Sequence, residues 1–371
     1  MSSLHENLSL GVVELPVAAL RRMLKLVRLL DRISRCPAYR SAVYPQVPDV
    51  AGFDPGHDAV MMCYDFHLAG DVPRLIEVNT NAGGGLLASL AHDPSLSIES
   101  ASLKDKLKKR LLSTFADEIH QFSGGKKSKP EHIVIIDDEP NQQFLYPEMC
   151  AFAELFKTWG VPAEIVDPQQ LEASADGVWL NGKAVDLVYN RHCDFYLESE
   201  GMSGLRAAYL AGKVCLSPNP HLYGLLADKR RLVIWTDPAK RATFSLSTDE
   251  QDLLDKVLPA CSLLSDLDPQ QVWSVRKKRV FKPVDSFGSR GVLVGEKISR
   301  KRFDQLDAAT TLVQELVPPS LTEVPGTEPM KTDLRLYVYR DRALGVTARL
   351  YRGQVTNMRT PGGGFARVKV V

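Results

Sequence analysis

The sequence predicts an α/β protein of more than one packed unit, and three observations carry that expectation. Short apolar strands alternate with amphipathic helices in the middle of the chain. A strongly alternating stretch with short turns closes it. A polar, glycine-containing stretch, "SGGKKSKP", separates the opening part from the rest.

The length, 371 residues, is enough for two or three packed units. Apolar residues at 44% and charged residues at 25% place the chain among ordinary globular proteins. A net charge of +1 gives no basis for a nucleic-acid or membrane partner held by bulk charge. The six cysteines are scattered with no CxxC, which argues against a disulfide framework or a zinc site and for a reducing compartment. No apolar run approaches the roughly 20 residues of a membrane span. The start, "MSSLHENLSLGVVELP", lacks a long apolar core and makes a poor signal peptide, so a cytoplasmic protein is expected.

The stretch "ALRRMLKLVRLLDRISRC" puts Leu20, Met23, Leu24, Val27, Leu30 and Ile33 at helical spacing, with Arg and Lys on the far side. "AVMMCYDFHL" reads as a buried strand and "RLIEVNT" as a second, joined by the turn-like "AGDVP". A helical region over 101–121 follows, then the linker at 123–130. Beyond it, "HIVIID", "AEIVD" and "DLVYNR" read as strands and "PEMCAFAELFKTWG" as an amphipathic helix closed by Gly160. This small parallel unit runs to about Pro220. Its function belongs at the carboxyl ends of its strands, Asp137 to Asn141 and Asn190 to Arg191. "VWSVRKKRVFKPVDSFGSRGVLVGEK" is basic, then glycine-rich, then apolar and alternating. The tail, "TDLRLYVYRDRALGVTARLYRGQVTNMRTPGGGFARVKVV", reads as an antiparallel meander.

Four constellations carry chemistry. In "RLIEVNTNAGGGLL", period two puts Glu77 and Asn79 on one side of a strand end. With Asp65 on the neighbouring strand, three oxygens suit a hard cation such as Mg²⁺; the same residues could instead cap a strand and start a turn. In "VFKPVDSFGSRGV", Lys282 ends a strand, and Ser286, Gly288, Ser289 and Gly291 form a loop whose N–H groups can approach phosphate. It is not a Walker loop, since no GK[ST] opens a helix. A glycine-bearing hairpin with a solvated lysine fits it equally. In "TLVQELVPP", a strand edge carrying Gln314, Glu315 and Leu316 runs into a proline pair and can offer backbone groups to an adenine. In the tail, Asp333 and Arg335 share a face, followed by Arg349, Asn357 and "PGGG"; fixed arginines stabilise a transferring phosphoryl group, or form a solvated outer face. Lys229, in "LLADKRRL", sits on an expected helix. Together these make a nucleotide site without a P-loop.

Set in this order, the pieces resemble the ATP-grasp superfamily. "KPVDSFGSRGV", "LVQELVPP" and "DLRLYVYRDRALGVTARLYRGQVTN…GGG" are similar to its lid, hinge strand and phosphate-contacting strands. The magnesium strand, last in most of that superfamily, matches "LIEVNTN" near residue 75. That order resembles the circularly permuted arrangement of eukaryotic-type glutathione synthetase and of the glutathionylspermidine synthetase domain. "DEPNQQFLYPE", "DLVYNRHCDFY" and "ADKRRL" resemble its γ-glutamyl-gripping segment, its substrate-arginine strand and its first ATP-lysine helix.

The resemblance implies an ATP-grasp fold in four parts. These are a permuted core segment with the magnesium strand (1–125), a parallel α/β substrate-binding unit (131–222), an ATP-binding lid (223–320) and the remaining core strands (321–371). It implies Mg²⁺ on Asp65, Glu77 and Asn79. It implies ATP on Lys229 and Lys282 under Ser286, Gly288, Ser289 and Gly291, with adenine along Gln314, Glu315 and Leu316. Arg335, Arg349 and Asn357 would face the γ-phosphate and acyl phosphate. Glu139, Asn141 and Arg191 would hold substrate, with Gly362, Gly363 and Gly364 closing over it. The implied activity is ATP-dependent ligation of a small carboxylate to an amine, with no nucleic-acid or membrane partner; relatives are often dimers. The lid is closer to bacterial carboxylate–amine ligases than to the eukaryotic triple-glycine lid. The rival readings are a nucleotide-binding regulatory protein on the same fold and a small-molecule kinase.

Overall fold

The meander at the end of the chain is half of a larger sheet whose other half comes from the beginning. A computed structural model describes residues 7–92, 105–357 and 360–371; the first residues of the helical region expected over 101–121, and the first six of the chain, lie outside these. The strand Met330–Tyr339 pairs on one side with Arg342–Tyr351 and on the other with Met62–Ala69, which pairs in turn with Val72–Asn79, all antiparallel. Gly364–Val370 extends the sheet beyond Arg342–Tyr351. Ser320–Thr322 adds a short seventh strand against Met330–Tyr339.

Both faces of this sheet are covered, so its central strands are buried along most of their length. Period two sorts their side chains. Tyr64, Phe66, Leu334, Leu336 and Val338 enter one core with Met23, Val27, Leu30 and Ile33 of the helix Val17–Ser34. Cys63, Tyr337 and Tyr339 enter a second with Phe115 of the helix Asp105–Phe122 and with the parallel unit.

The edge of the sheet is a strand that the sequence reading did not identify. Leu8–Leu15 lies parallel to Gly364–Val370. Val13 and Leu15 point inward, but Leu10 is 79% and Val12 46% exposed. Apolar residues on both faces hid the alternation that marks a half-buried strand.

The middle of the chain folds as expected into a parallel sheet, ordered Cys215–Ser217, Leu187–Asn190, Ile133–Ile136, Ala163–Val166. The helix Tyr146–Thr158 packs on it, and Gly160 ends that helix at φ 75°. A small hairpin sheet over Glu172–Ala184 decorates this unit. A fourth sheet, Cys261–Leu263, Thr311–Glu315, Arg279–Pro283, Leu293–Val294, is antiparallel. No helix among the described residues is long and apolar enough to cross a membrane.

Between the magnesium-strand candidate and the helix Gly85–His92 the backbone passes close to its neighbours. At Gly84 the φ is +94° and a Cβ would fall 2.1 Å from Phe365 Cζ, a ring buried with Leu87 and Leu90. Both left-handed strain, about 1–2 kcal/mol, and overpacking, about 1–3 kcal/mol, oppose any side chain there. Gly84→Ala is therefore expected to destabilise the protein by about 2–5 kcal/mol in urea unfolding. An unchanged midpoint would show that this packing is wrong.

Candidate functional site

The pairing of Met62–Ala69 with Met330–Tyr339 puts Asp65 directly opposite Arg335. The guanidinium reaches across the strands in a fork: Nε donates to Asp65 Oδ1 at 2.8 Å and Nη2 to Oδ2 at 2.7 Å. In the next strand Arg349 stands opposite Asp333. Its Nη2 donates to Asp65 Oδ2 at 2.9 Å and also to Asp333 Oδ2. All four groups are at most 9% exposed. Burial alone would raise the Asp65 carboxyl, but Arg335 and then Arg349 outweigh it and hold it at about 2. Asp333 goes the other way: burial raises it despite Arg349.

Glu77 stands opposite Asp65, and Asn79 opposite Cys63. Asn79 Nδ2 donates to Asp65 Oδ2 at 3.2 Å and to Glu77 Oε1 at 3.3 Å, which leaves the Asn79 amide oxygen over. Among the described residues no group of three or more His, Cys, Asp or Glu side chains forms a metal site. The donor set near Glu77 is one carboxylate and one amide oxygen, because both Asp65 oxygens are taken up by guanidinium. That set suits Mg²⁺, which keeps waters and phosphate oxygens in its shell, and it does not suit a cation needing a full protein cage.

Asp65, Glu77, Asn79, Lys229, Lys282, Ser286, Gly288, Ser289, Gln314, Glu315, Leu316, Arg335 and Arg349 line a single cleft of about 430 Å³. Lys282 is buried, and Nζ donates to the Ile76 carbonyl at 3.1 Å. Burial lowers its pKa against the attraction of Glu77. Lys229 precedes the helix Arg230–Thr236 rather than lying within it, and its ammonium donates to the Ser286 carbonyl. The loop it grips has positive φ at Gly288, Ser289 and Gly291. Phe287 at the loop tip meets Phe195 edge-on at 6.0 Å, and Phe195 stacks on Tyr223 at 4.3 Å. Gly291 is not in the lining, although Arg290 and Val292 are.

One expectation is corrected. Thr311–Glu315 is an interior strand, not an edge: the N–H groups of Glu315 and Leu316 go to Ala260 and Lys278 carbonyls at 2.8 and 2.9 Å. It therefore meets the cleft with Gln314, Glu315 and Leu316 but has these N–H groups already spent. Asn357 lies one residue past Gln354–Thr356, which do line the cleft. Glu139, Asn141, Arg191, Gly362, Gly363 and Gly364 are outside the lining. Glu139 and Asn141 are exposed on the turn after Ile133–Ile136. Arg191 is buried behind Gly83, where a Cβ would fall 2.2 Å from its Nη2. Gly364 is required by packing, since a Cβ there would fall 2.2 Å from the Asn7 carbonyl oxygen.

Other lining residues escaped the sequence reading. His67 shares the Asp65 face by period two, so it was legible, and its Nδ1 donates to the Val317 carbonyl at 2.7 Å. Phe195 and Tyr223 carry no local signal. Asp333 Oδ1 and Arg349 Nε, both buried at the cleft, have no hydrogen-bond partner among the described residues.

No protein-family model matches the chain, and no curated protein matches its sequence. Solved structures do. A glutathione synthetase-like effector from Globodera pallida, in its apo form, superposes with a TM-score of 0.60 at 13% identity, over 98% of this chain and 90% of that one. A protein of Methylobacillus flagellatus assigned as a gamma-glutamylcysteine synthetase gives 0.51 at 14% identity, over 95% and 88%. The chain thus shares its fold with these two proteins over nearly its whole length.

Asp65 loses its proton more readily in the folded protein than in the unfolded chain. Its stabilisation is therefore complete above about pH 4 and fades as pH falls toward 2. Asp65→Asn is expected to cost about 3–5 kcal/mol at pH 6, because the Arg335 guanidinium is left buried without a carboxylate and Arg349 keeps only Asp333. The cost should shrink at pH 2.5. An equal loss at both pH values would mean that the carboxylate does not carry this pairing.

Proposed function

We propose that the protein is an ATP-dependent carboxylate–amine ligase that works through an acyl phosphate. One observation supports this above all: Glu77 and Asn79 from the first part of the chain, and Lys282, Arg335 and Arg349 from the last, border one cleft. On this reading the strand order is that of a permuted ATP-grasp enzyme. Residues 1–125 and 321–371 build its core, 131–222 the substrate unit and 223–320 the lid. The two similar structures, by their names, agree with an amino-acid or γ-glutamyl carboxylate as substrate.

Lys282 and Lys229 take the ATP phosphates beneath the loop Ser286–Gly291, and Gln314 to Leu316 flank the adenine. Glu77 and the Asn79 amide oxygen hold Mg²⁺, which when bound neutralises charge on the phosphate oxygens. Arg335 and Arg349 face the γ-phosphate, with Asp65 setting their geometry. A substrate carboxylate oxygen attacks the γ-phosphorus in line and ADP leaves. An amine then attacks the acyl carbon, loses a proton and displaces inorganic phosphate. Positioning and charge stabilisation supply the catalysis, and the loop excludes water that would hydrolyse the acyl phosphate. The substrates are small molecules, and the setting is cytoplasmic.

Incubation with MgATP, pools of amino acids and γ-glutamyl peptides, and hydroxylamine should give ADP together with a hydroxamate. A stable phosphorylated product would point to a kinase, and nucleotide binding without turnover to a regulatory protein. Glu77→Ala should lower turnover by at least about 100-fold with an unchanged unfolding curve. Full activity in that variant at ordinary Mg²⁺ would remove Glu77 from the site.

A further inference from the structure

The backbone from Ala82 to Leu86 is held from behind by two side chains with no role in the cleft. Glu148, in the first turn of the helix Tyr146–Thr158, is fully buried. Its Oε2 accepts the Gly84 N–H at 2.7 Å and its Oε1 the Leu86 N–H at 2.8 Å. Arg191 stands 3.6 Å from it and donates to the Ala82 carbonyl at 3.3 Å and the Tyr189 hydroxyl at 3.2 Å. Gly83 lies between these anchors. Its carbonyl points the other way and accepts from Tyr337 Oη at 3.0 Å and Arg335 Nη1 at 3.3 Å.

The connection is therefore continuous. Arg191 and Glu148, from the parallel unit, fix the backbone on both sides of Gly83. The Gly83 carbonyl then holds the one Arg335 nitrogen that the Asp65 fork leaves over. A buried carboxylate that receives two backbone N–H groups beside a guanidinium has little freedom to move. Arg191 fills the space that a side chain at residue 83 would need.

We propose that Glu148 and Arg191 are positioning residues, which fix the Ala82–Gly84 backbone so that the Gly83 carbonyl aims Arg335 at the γ-phosphate. This rests on the nucleotide reading above, since the aim of Arg335 matters only with a triphosphate in the cleft. Two readouts on the full chain test it. One is the affinity for MgAMPPNP and for MgADP by calorimetry. The other is the Arg335 Nε–H resonance by nitrogen-15 NMR, assigned through Arg335→Lys.

Glu148→Gln keeps the shape but turns an amide NH₂ toward a backbone N–H or toward Arg191. It should weaken MgAMPPNP about tenfold while leaving MgADP, which lacks the γ-phosphate, within about twofold. The Arg335 resonance should shift. A purely structural role would weaken both nucleotides together. An unchanged AMPPNP-to-ADP ratio overturns the proposal. If the wild type binds neither nucleotide, the nucleotide reading fails and the resonance decides the positioning: a shift supports it, an unmoved signal overturns it. Should Glu148→Gln not fold, Arg191→Lys, which keeps the charge but loses the guanidinium that reaches the Ala82 carbonyl and the Tyr189 hydroxyl, is held to the same outcomes.

Discussion

The forked pairing of Arg335 with Asp65 joins residues 270 apart in sequence, and the site depends on it. It lies in the middle of the large sheet, where the first strands of the chain meet the last. Removing two charges from water is costly, and here the cost is offset by a matched set: Asp65 and Asp333 against Arg335 and Arg349. The set stays polar where the sheet opens to the cleft. Along the same face it gives way to Tyr337 and Tyr339, which are covered by the helix Asp105–Phe122. One face of one strand thus serves both as site and as core.

This balance decides where the field of the cleft comes from. Arg335 and Arg349 are already neutralised by acids, so unspent positive charge comes from Arg290 of the glycine loop and from the two lysines, Lys282 and Lys229. Both lysines are engaged with backbone carbonyls, of Ile76 and Ser286. Carbonyls are weak partners for an ammonium compared with a phosphate, so these contacts exchange readily. The glycine loop is likewise drawn in, by Lys229 and by Phe287 against Phe195. The three glycines after the Glu77 strand have a different purpose from those of that loop. A Cβ on Gly83, Gly84 or Gly85 would strike Arg191, Phe365 or Met61. They are small so that three elements can close on the site.

Much of this architecture was legible locally. The strands Met62–Ala69 and Val72–Asn79, the parallel unit and the closing meander each show their own periodicity. The shared face of Glu77 and Asn79 follows from period two alone. A hairpin is also legible: Asn181-Gly182, between "VWL" and "KAV", is a two-residue turn pair. The N-terminal strand was concealed, because exposed Leu10 and Val12 erase its alternation.

By itself the sequence determined which side chains share a face and which segments are strand, helix or turn, since those properties repeat over a few residues. Tertiary structure alone decided which strands become neighbours. That is why Thr311–Glu315 proved interior rather than an edge, and why Arg191 turned to Glu148 and away from the cleft. Strand pairing is set by burial across the whole chain, and neither Asp65 nor Arg335 carries in its own neighbourhood any mark of the other.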